Sequence, residues 1–447
     1  MGVRTRQILA VAALAMCVAT VLSAQSPAGA ESSAAGPVAR LTAAHRGEIV
    51  KAAATTLAEN YVDEQTGRII GDLLKKQLQA GAYDSLDNPA QFAEAVTRDL
   101  QRTNGDLHLT LRFSPTPAPQ GARRGFDPFA GARQRNFGLT RAEILSGNIG
   151  YLEFTGFLQA NGWEEALVDA LRFLSRTDAV IIDVRRNPGG SGNMGDLLAS
   201  HFLGTTPVPM LTIKSRRTPE PMIVSSRAEV PGPRRPDVPL YILTSQGTGS
   251  AAEAFTFVLK NQRRATVVGT RTAGAGHSVG FAPAGYGFTL GFSITNVSDP
   301  ATGLEWERVG VQPDVAVAAE QALVEAHLAA LRTLRAAAKE PPQSQVLDRL
   351  IATVDASRRP QPADAGRMAR FAGTYEGRAV TVTDGRVAFG RNAGAQKEEL
   401  THRGGTRFAL GATQYLFEEK DGTVTLTVES ADGTRVVLPR RDATAGK

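Results

Sequence analysis

The chain has 447 residues, 42% of them hydrophobic and 21% charged, with a formal net charge of +6. That balance belongs to a soluble globular protein, and the length calls for two or three domains rather than one core. The mild positive charge comes without arginine- and aromatic-rich binding segments, so nucleic acid is not expected as a partner.

MGVRTR is followed by the apolar run ILAVAALAMCVATVLSA. This is the layout of a secretory signal peptide over residues 1–24, with cleavage near Ala24. The alternative, an uncleaved anchor, suits a run of ~17 residues less well. The expectation is a periplasmic or secreted protein with no stable membrane anchor after cleavage. Cys17 is the only cysteine and leaves with the run. Disulfides, thiolate catalysis and cysteine-ligated metal are then excluded from the mature chain.

Residues 25–40 read as a small-residue linker. Helical patterns follow near 41–62, 67–82 and 88–104, within a helical domain over 41–113. The third opens DNPAQFAEAV, with Asn88 able to cap and Pro89 suited to the first helical position. Residues 114–145, rich in Pro, Gly and Arg, read as a linker.

Over 146–317 the pattern alternates between strand and helix. NIGYLEFTGF, DAVIIDV, VPLYILTS and ATVVGT read as strands, and NGWEEALVDALRFL, NMGDLLASHFL and SAAEAFTFVLKNQ as helices. This predicts an α/β fold with a mainly parallel or mixed sheet covered by helices. Two glycine-rich joints, RRNPGGSGN and TSQGTGS, fall at the carboxyl edge of that sheet, where sites lie. Residues 318–360 read as a helical connector. Residues 361–441 read as a small antiparallel β domain, since Asp-Gly pairs punctuate TVTDGRVAF, EEKDGTVTL and ESADGTRVVL.

Ser250 stands where a buried strand enters a helix. There the amide of Ala251 is unpaired and the helix dipole favours developing negative charge, so Ser250 reads as a nucleophile or as an ordinary N-cap. In DVRRNPGGSG, Gly189 and Gly190 let a backbone amide approach a ligand, and with Ala251 would form an oxyanion hole. A plain glycine turn is the alternative. A phosphate cradle lacks its lysine–serine/threonine signature. No histidine–glutamate metal spacing occurs, so neither a metal nor another cofactor is indicated.

The combination DVRRNPGG, TSQGTGSAAE with Ser250 three residues before Glu253, VVGTRTAGAG and VGVQPDV resembles the tail-specific, or C-terminal-processing, serine peptidases. The segment ending NYVDE…GDLHLTL is similar to the branch that contains interphotoreceptor retinoid-binding protein, without the usual PDZ insert. The resemblance implies a crotonase-like core and a peptide or unfolded protein as substrate. Where the family's dyad carries a lysine, this chain has Ala275. A histidine must then serve as base: His108 by resemblance to the tricorn-like pattern, with His277 as the alternative. Glu307, before the GVQPD motif, is implied as its orienting carboxylate, a solvated surface glutamate being the other reading. Asp314 is expected to fix the turn after Pro313. His45, His201 and His327 fall in helical patterns and His402 in the β domain, where packing or surface roles are expected. A non-catalytic lipid, retinoid-like or peptide binder, and an esterase with the same triad, are the competing readings.

Overall fold

A computed structural model describes residues 36–115, 129, 131–358, 364–392 and 395–441. The expected signal peptide, and most of the proline- and arginine-rich stretch after Pro115, lie outside the described residues.

Three helices open the described chain: α1 (Ala43–Asn60), α2 (Glu64–Gln79) and α3 (Pro89–Asn104). Thr42, Asp63 and Asn88 cap their first turns by accepting backbone N–H bonds, and Pro89 takes the first helical position as expected. Gly105, at φ +74°, ends α3 in the left-handed conformation that glycine adopts without strain. A tight turn then leads into β1 (Thr110–Phe113).

The main sheet uses β2 (Leu139–Leu145), β3 (Ile149–Phe154), β4 (Ala179–Asp183), β7 (Leu240–Thr244), β8 (Thr266–Gly269) and β11 (Val315–Ala316). Between β3 and β4 lies α4 (Trp163–Phe173). Between β4 and β7 lie α5 (Gly192–Ser200) and a hairpin of β5 (Pro209–Ser215) and β6 (Thr218–Ser225). Helix α6 (Ala251–Asn261) joins β7 to β8. The strand order is β11-β8-β7-β4-β3-β2, parallel except for β2, which runs antiparallel to β3. The domain boundary expected at 146 therefore moves: 139–145 is an edge strand of the sheet, paired with β3, rather than linker.

Because β3, β4, β7 and β8 are laid down in one direction, right-handed crossovers send α4, α5 and α6 to one face. Val180, Ile182 and Ile242 pack there with Leu167, Leu197 and Phe255. Ile181, Tyr241 and Leu243 face the other way, onto α7 (Ala322–Ala337) and α8 (Pro341–Arg358). Burial on both faces is why AVIID reads as an unbroken apolar run instead of an alternating one.

A second sheet is not visible in the local patterns. β9 (Ser278–Gly285) and β10 (Phe288–Ser298) form a hairpin, and β10 also pairs β1 and β5. Phe288, Leu290 and Phe292 of β10 pack against Ile49, Leu57 and Phe92 of the opening helices, which fastens the N-terminal region to the core. The end of the chain is a nine-stranded antiparallel sheet, as the Asp-Gly pairs predict. Asp384-Gly385 and Asp421-Gly422 carry positive φ at both positions, the type I′ geometry that matches strand twist.

Candidate active site

The carboxyl ends of β4 and β7 are laced together. Thr248 Oγ1 donates to the Val184 carbonyl at 2.8 Å, Ser245 Oγ to that of Arg185 at 2.6 Å, and the Gly249 N–H to that of Asn187 at 3.0 Å. Ser245 is thereby committed to structure. Ser250, half-buried, sits at φ +49°, ψ −120°. An N-cap residue normally has extended backbone, so Ser250, although it closes a capping box with Glu253, is not an ordinary cap. A non-glycine residue held there costs about 1–3 kcal/mol, which the surroundings must over-determine. They do so through Glu253. Its fully buried carboxylate accepts the Ser250 N–H at 2.9 Å, Thr272 Oγ1 at 2.5 Å, and the N–H groups of Gly274 and Ala275 at 2.7 and 2.8 Å. Four donors satisfy a carboxylate that would otherwise be prohibitively costly to bury.

Gly189 packs directly on the serine. A Cβ there would lie 2.7 Å from Ser250 Cβ and 3.0 Å from the Ala251 nitrogen. The Gly189 N–H, however, donates to Asn187 Oδ1 at 2.9 Å. Gly190 forms a parallel bridge with Phe157, in which the Phe157 N–H bonds the Gly189 carbonyl and the Ser191 N–H bonds the Phe157 carbonyl. In that geometry the Gly190 N–H points away from Phe157. Among the described residues, neither the Gly190 nor the Ala251 N–H is engaged by another protein group.

The histidines arrive from two other directions. His108 lies in the turn between α3 and β1, with its side chain 10% exposed. That turn is built on Asp106, whose Oδ1 accepts the His108 N–H at 2.8 Å and lies 3.5 Å from His108 Nδ1. Asp106 Oδ2 accepts Tyr61 Oη–H at 2.8 Å and Ser293 Oγ–H at 2.6 Å. Asn104 in turn donates to Tyr61 Oη at 2.7 Å. The sequence reading missed Asp106, although an aspartate two residues before a histidine is the spacing at which a carboxylate caps the turn that presents the ring.

His277 Nδ1 stands 3.9 Å from Asp106 Oδ2 and 3.8 Å from Glu307 Oε2, too far for hydrogen bonds and close enough for strong electrostatic coupling. Glu307 is not a solvated surface residue. Its Oε2 accepts the N–H groups of Gly276 and His277 at 2.6 and 3.2 Å, and Trp306 beside it is buried against Phe257 of α6. Glu305 is exposed. Burial pushes the Glu307 carboxyl above its usual range, with His277 opposing. Burial alone would lower the His277 imidazole, but Asp106 and Glu307 on either side outweigh it and hold it raised. Burial opposes ionisation of Asp106 too, yet His108, His277 and Ser293 around it hold its pKa well below the ordinary carboxylate range.

The loop 272–277 joins the two halves. Ala275 is bonded to Glu253, the partner of Ser250, and the next residue, Gly276, is bonded to Glu307. Ser250, Ala251, Gly189 and Gly190 thus form one group, His108, His277 and Glu307 another around Asp106, and two consecutive residues connect them. Among the described residues no hydrogen bond joins Ser250 Oγ to either imidazole. The remaining histidines are elsewhere: His327 meets the Ser146 carbonyl, His201 that of Pro233, His45 packs at a tilt against Tyr286, and His402 likewise against Phe408 of the β domain. Asp314 accepts the Val267 N–H at 2.8 Å and pairs with Lys260, so it ties α6 to β8 rather than closing a turn.

Residues 148–317 match the model of peptidase family S41, and residues 34–134 match that of the N-terminal domain of the S41 peptidase in eukaryotic IRBP. The α/β core is thus similar to peptidase family S41, and the N-terminal region to the IRBP-type domain of that family. It is 29% identical over 179 residues to a carboxyl-terminal-processing protease of Synechocystis, covering 40% of this chain and 39% of that protein. To the carboxy-terminal processing protease CtpB of Bacillus subtilis it is 26% identical over 199 residues, covering 41% and 40%. The chain therefore spans about two fifths of the length of these curated relatives, 39–40%. Among solved structures, the photosystem II D1 C-terminal processing protease aligns over 63% of this chain and 94% of its own, at 18% identity and a TM-score of 0.40.

Proposed function

We propose that the chain is a serine peptidase acting on peptides or unfolded proteins, with Ser250 as nucleophile. The observation that carries the reading is the backbone of Ser250. It holds positive φ at the end of a buried strand, against a glycine that leaves it room, with the unengaged Ala251 N–H beside it. Such a joint exposes the hydroxyl and aims a helix N-terminus at developing negative charge.

His108 takes the Ser250 hydroxyl proton as the oxygen attacks the scissile carbonyl, and returns it to the leaving amine. Water then repeats the sequence on the acyl-enzyme. Asp106 is the nearest carboxylate to the His108 ring, its Oδ1 3.5 Å from Nδ1; Glu307 completes the acidic surround from the His277 side. The Gly190 and Ala251 N–H groups receive the oxyanion. Gly189 contributes space rather than a hydrogen bond, since its N–H is already engaged. Ala275 is buried and has no basic group, which supports a histidine in place of the lysine of related enzymes. Leu107 and Val309, exposed beside His108 and Glu307, suit an apolar substrate segment.

The apolar, arginine-led N-terminus supports a periplasmic or secreted location. Among the described residues no helix is long and apolar enough to cross a membrane. Hydrolysis of an unfolded protein such as denatured casein, compared between the native chain and Ser250→Ala, tests the reading. Loss of turnover in the variant is expected; equal turnover in both would discard it.

A further inference from the structure

We propose that Asp106, His277 and Glu307 form a binding site for a divalent transition-metal ion of the zinc class, and that occupancy silences the peptidase. The second half rests on the peptidase reading; the first does not.

Three residues converge: Asp106, His277 and Glu307 each offer a ligand atom, all within 4.8 Å of one another. The two nearest separations, 3.9 and 3.8 Å, are too long for hydrogen bonds. Four-coordinate zinc with bonds of about 2.0–2.2 Å sets ligand atoms roughly 3.4 Å apart, so a small inward movement of each group encloses the ion. Two of the three groups also hold an unpaired atom. His277 Nδ1 and Glu307 Oε1 are buried with no hydrogen-bond partner, and the Glu307 side chain is only 6% exposed. Buried polar atoms seldom stay unpaired without a functional reason.

The surrounding layer is that of a metal site. Tyr61 and Ser293 hydroxyls orient Asp106, and the Gly276 N–H orients Glu307. Two buried carboxylates and a neutral imidazole present a charge that one dication balances. The imidazole selects zinc-like ions over calcium or magnesium, which prefer all-oxygen sets. The ligands come from positions 106, 277 and 307, on three separate loops, which is why no metal spacing exists in the sequence. Asp106 is also the carboxylate against His108. A bound ion takes that carboxylate and sets positive charge beside the base, so proton transfer from Ser250 fails.

The test is calorimetric titration of chelator-stripped native protein with ZnCl2, alongside His277→Ala, Glu307→Gln and the distant control His402→Gln. One zinc per chain is expected, weakened in the first two variants by more than the roughly 10–100-fold that loss of a group merely orienting a ligand costs, or lost, and unchanged in the control. No saturable binding, or equal binding in both site variants, overturns the site. Should a variant fail to fold, Co2+ added to native protein is expected to give the visible absorption of a four- or five-coordinate site, abolished by excess Zn2+; absence of those bands overturns it equally. Fluorophosphonate labelling of native protein is expected to fall with zinc and recover with EDTA. Labelling unaffected by saturating zinc removes the inhibitory role, whereas no labelling even without zinc counts against the peptidase reading and leaves the site standing.

Discussion

Glu253 Oε2 accepts the amide of Ser250 at 2.9 Å, so the first turn of α6 holds in place the strained residue that precedes it. The same oxygen takes the Ala275 amide at 2.8 Å, which couples Ser250 to the loop bearing His277. Removing this carboxylate by Glu253→Ala strands four donors, three of them buried. The expected cost is about 3–5 kcal/mol of stability, read from the urea unfolding midpoint. Glu253→Gln keeps the volume but turns an amide donor toward other donors, and is expected to fall between.

Gly189 separates space from hydrogen bonding. Gly189→Ala places a methyl 2.7 Å from Ser250 Cβ at φ +111°, while the displaced group has no role as an oxyanion donor. Misplacement of the serine by about 1 Å is expected to slow fluorophosphonate labelling at least 100-fold. An unchanged labelling rate would show that the serine tolerates the methyl.

Asp106 and Glu307 are distinguishable as partners of His108, the proposed base. Asp106→Asn leaves the Tyr61 and Ser293 hydroxyls in place but removes the charge facing His108. By the behaviour of other serine triads, kcat is expected to fall by about 10⁴ with KM little changed. Glu307→Gln, farther along the cluster, is expected to cost less than Asp106→Asn. The reverse order would make Glu307 the orienting residue.

A pH effect on stability comes from outside the site. Burial pushes the Asp196 carboxyl in α5 up to about 6, against an opposing pull from Arg227. A carboxyl raised in the folded state binds more protons than in the unfolded chain, so stability declines as pH rises from about 4 to 6 and then levels off. Asp196→Asn removes that decline. Unfolding free energies of the two proteins are expected to converge near pH 4 and to separate in favour of the variant by pH 7.5, by about 1–3 kcal/mol.

Much of this was legible locally. The cap and proline at Asn88-Pro89, the buried strands AVIID and LYILT, and the Asp-Gly hairpins each follow from short-range chemistry. The second sheet did not, because Thr110–Phe113 pairs with residues near 290 and only the fold brings them together. LTRAEIL has helix-favouring residues, and pairing with β3 overrides them. At the site, the glycine joint and Ser250 could be read from the sequence. That Asp106 faces both histidines, and that Asn187 occupies the Gly189 amide, are consequences of three-dimensional placement.

The most direct measurement of the central claim is mass-spectrometric mapping of a fluorophosphonate adduct on the native chain. The expected result is a single adduct on Ser250, absent from Ser250→Ala and retained in Ser245→Ala, whose hydroxyl is committed to the Arg185 carbonyl. Absence of any adduct, or an adduct on Ser245 instead, would contradict it.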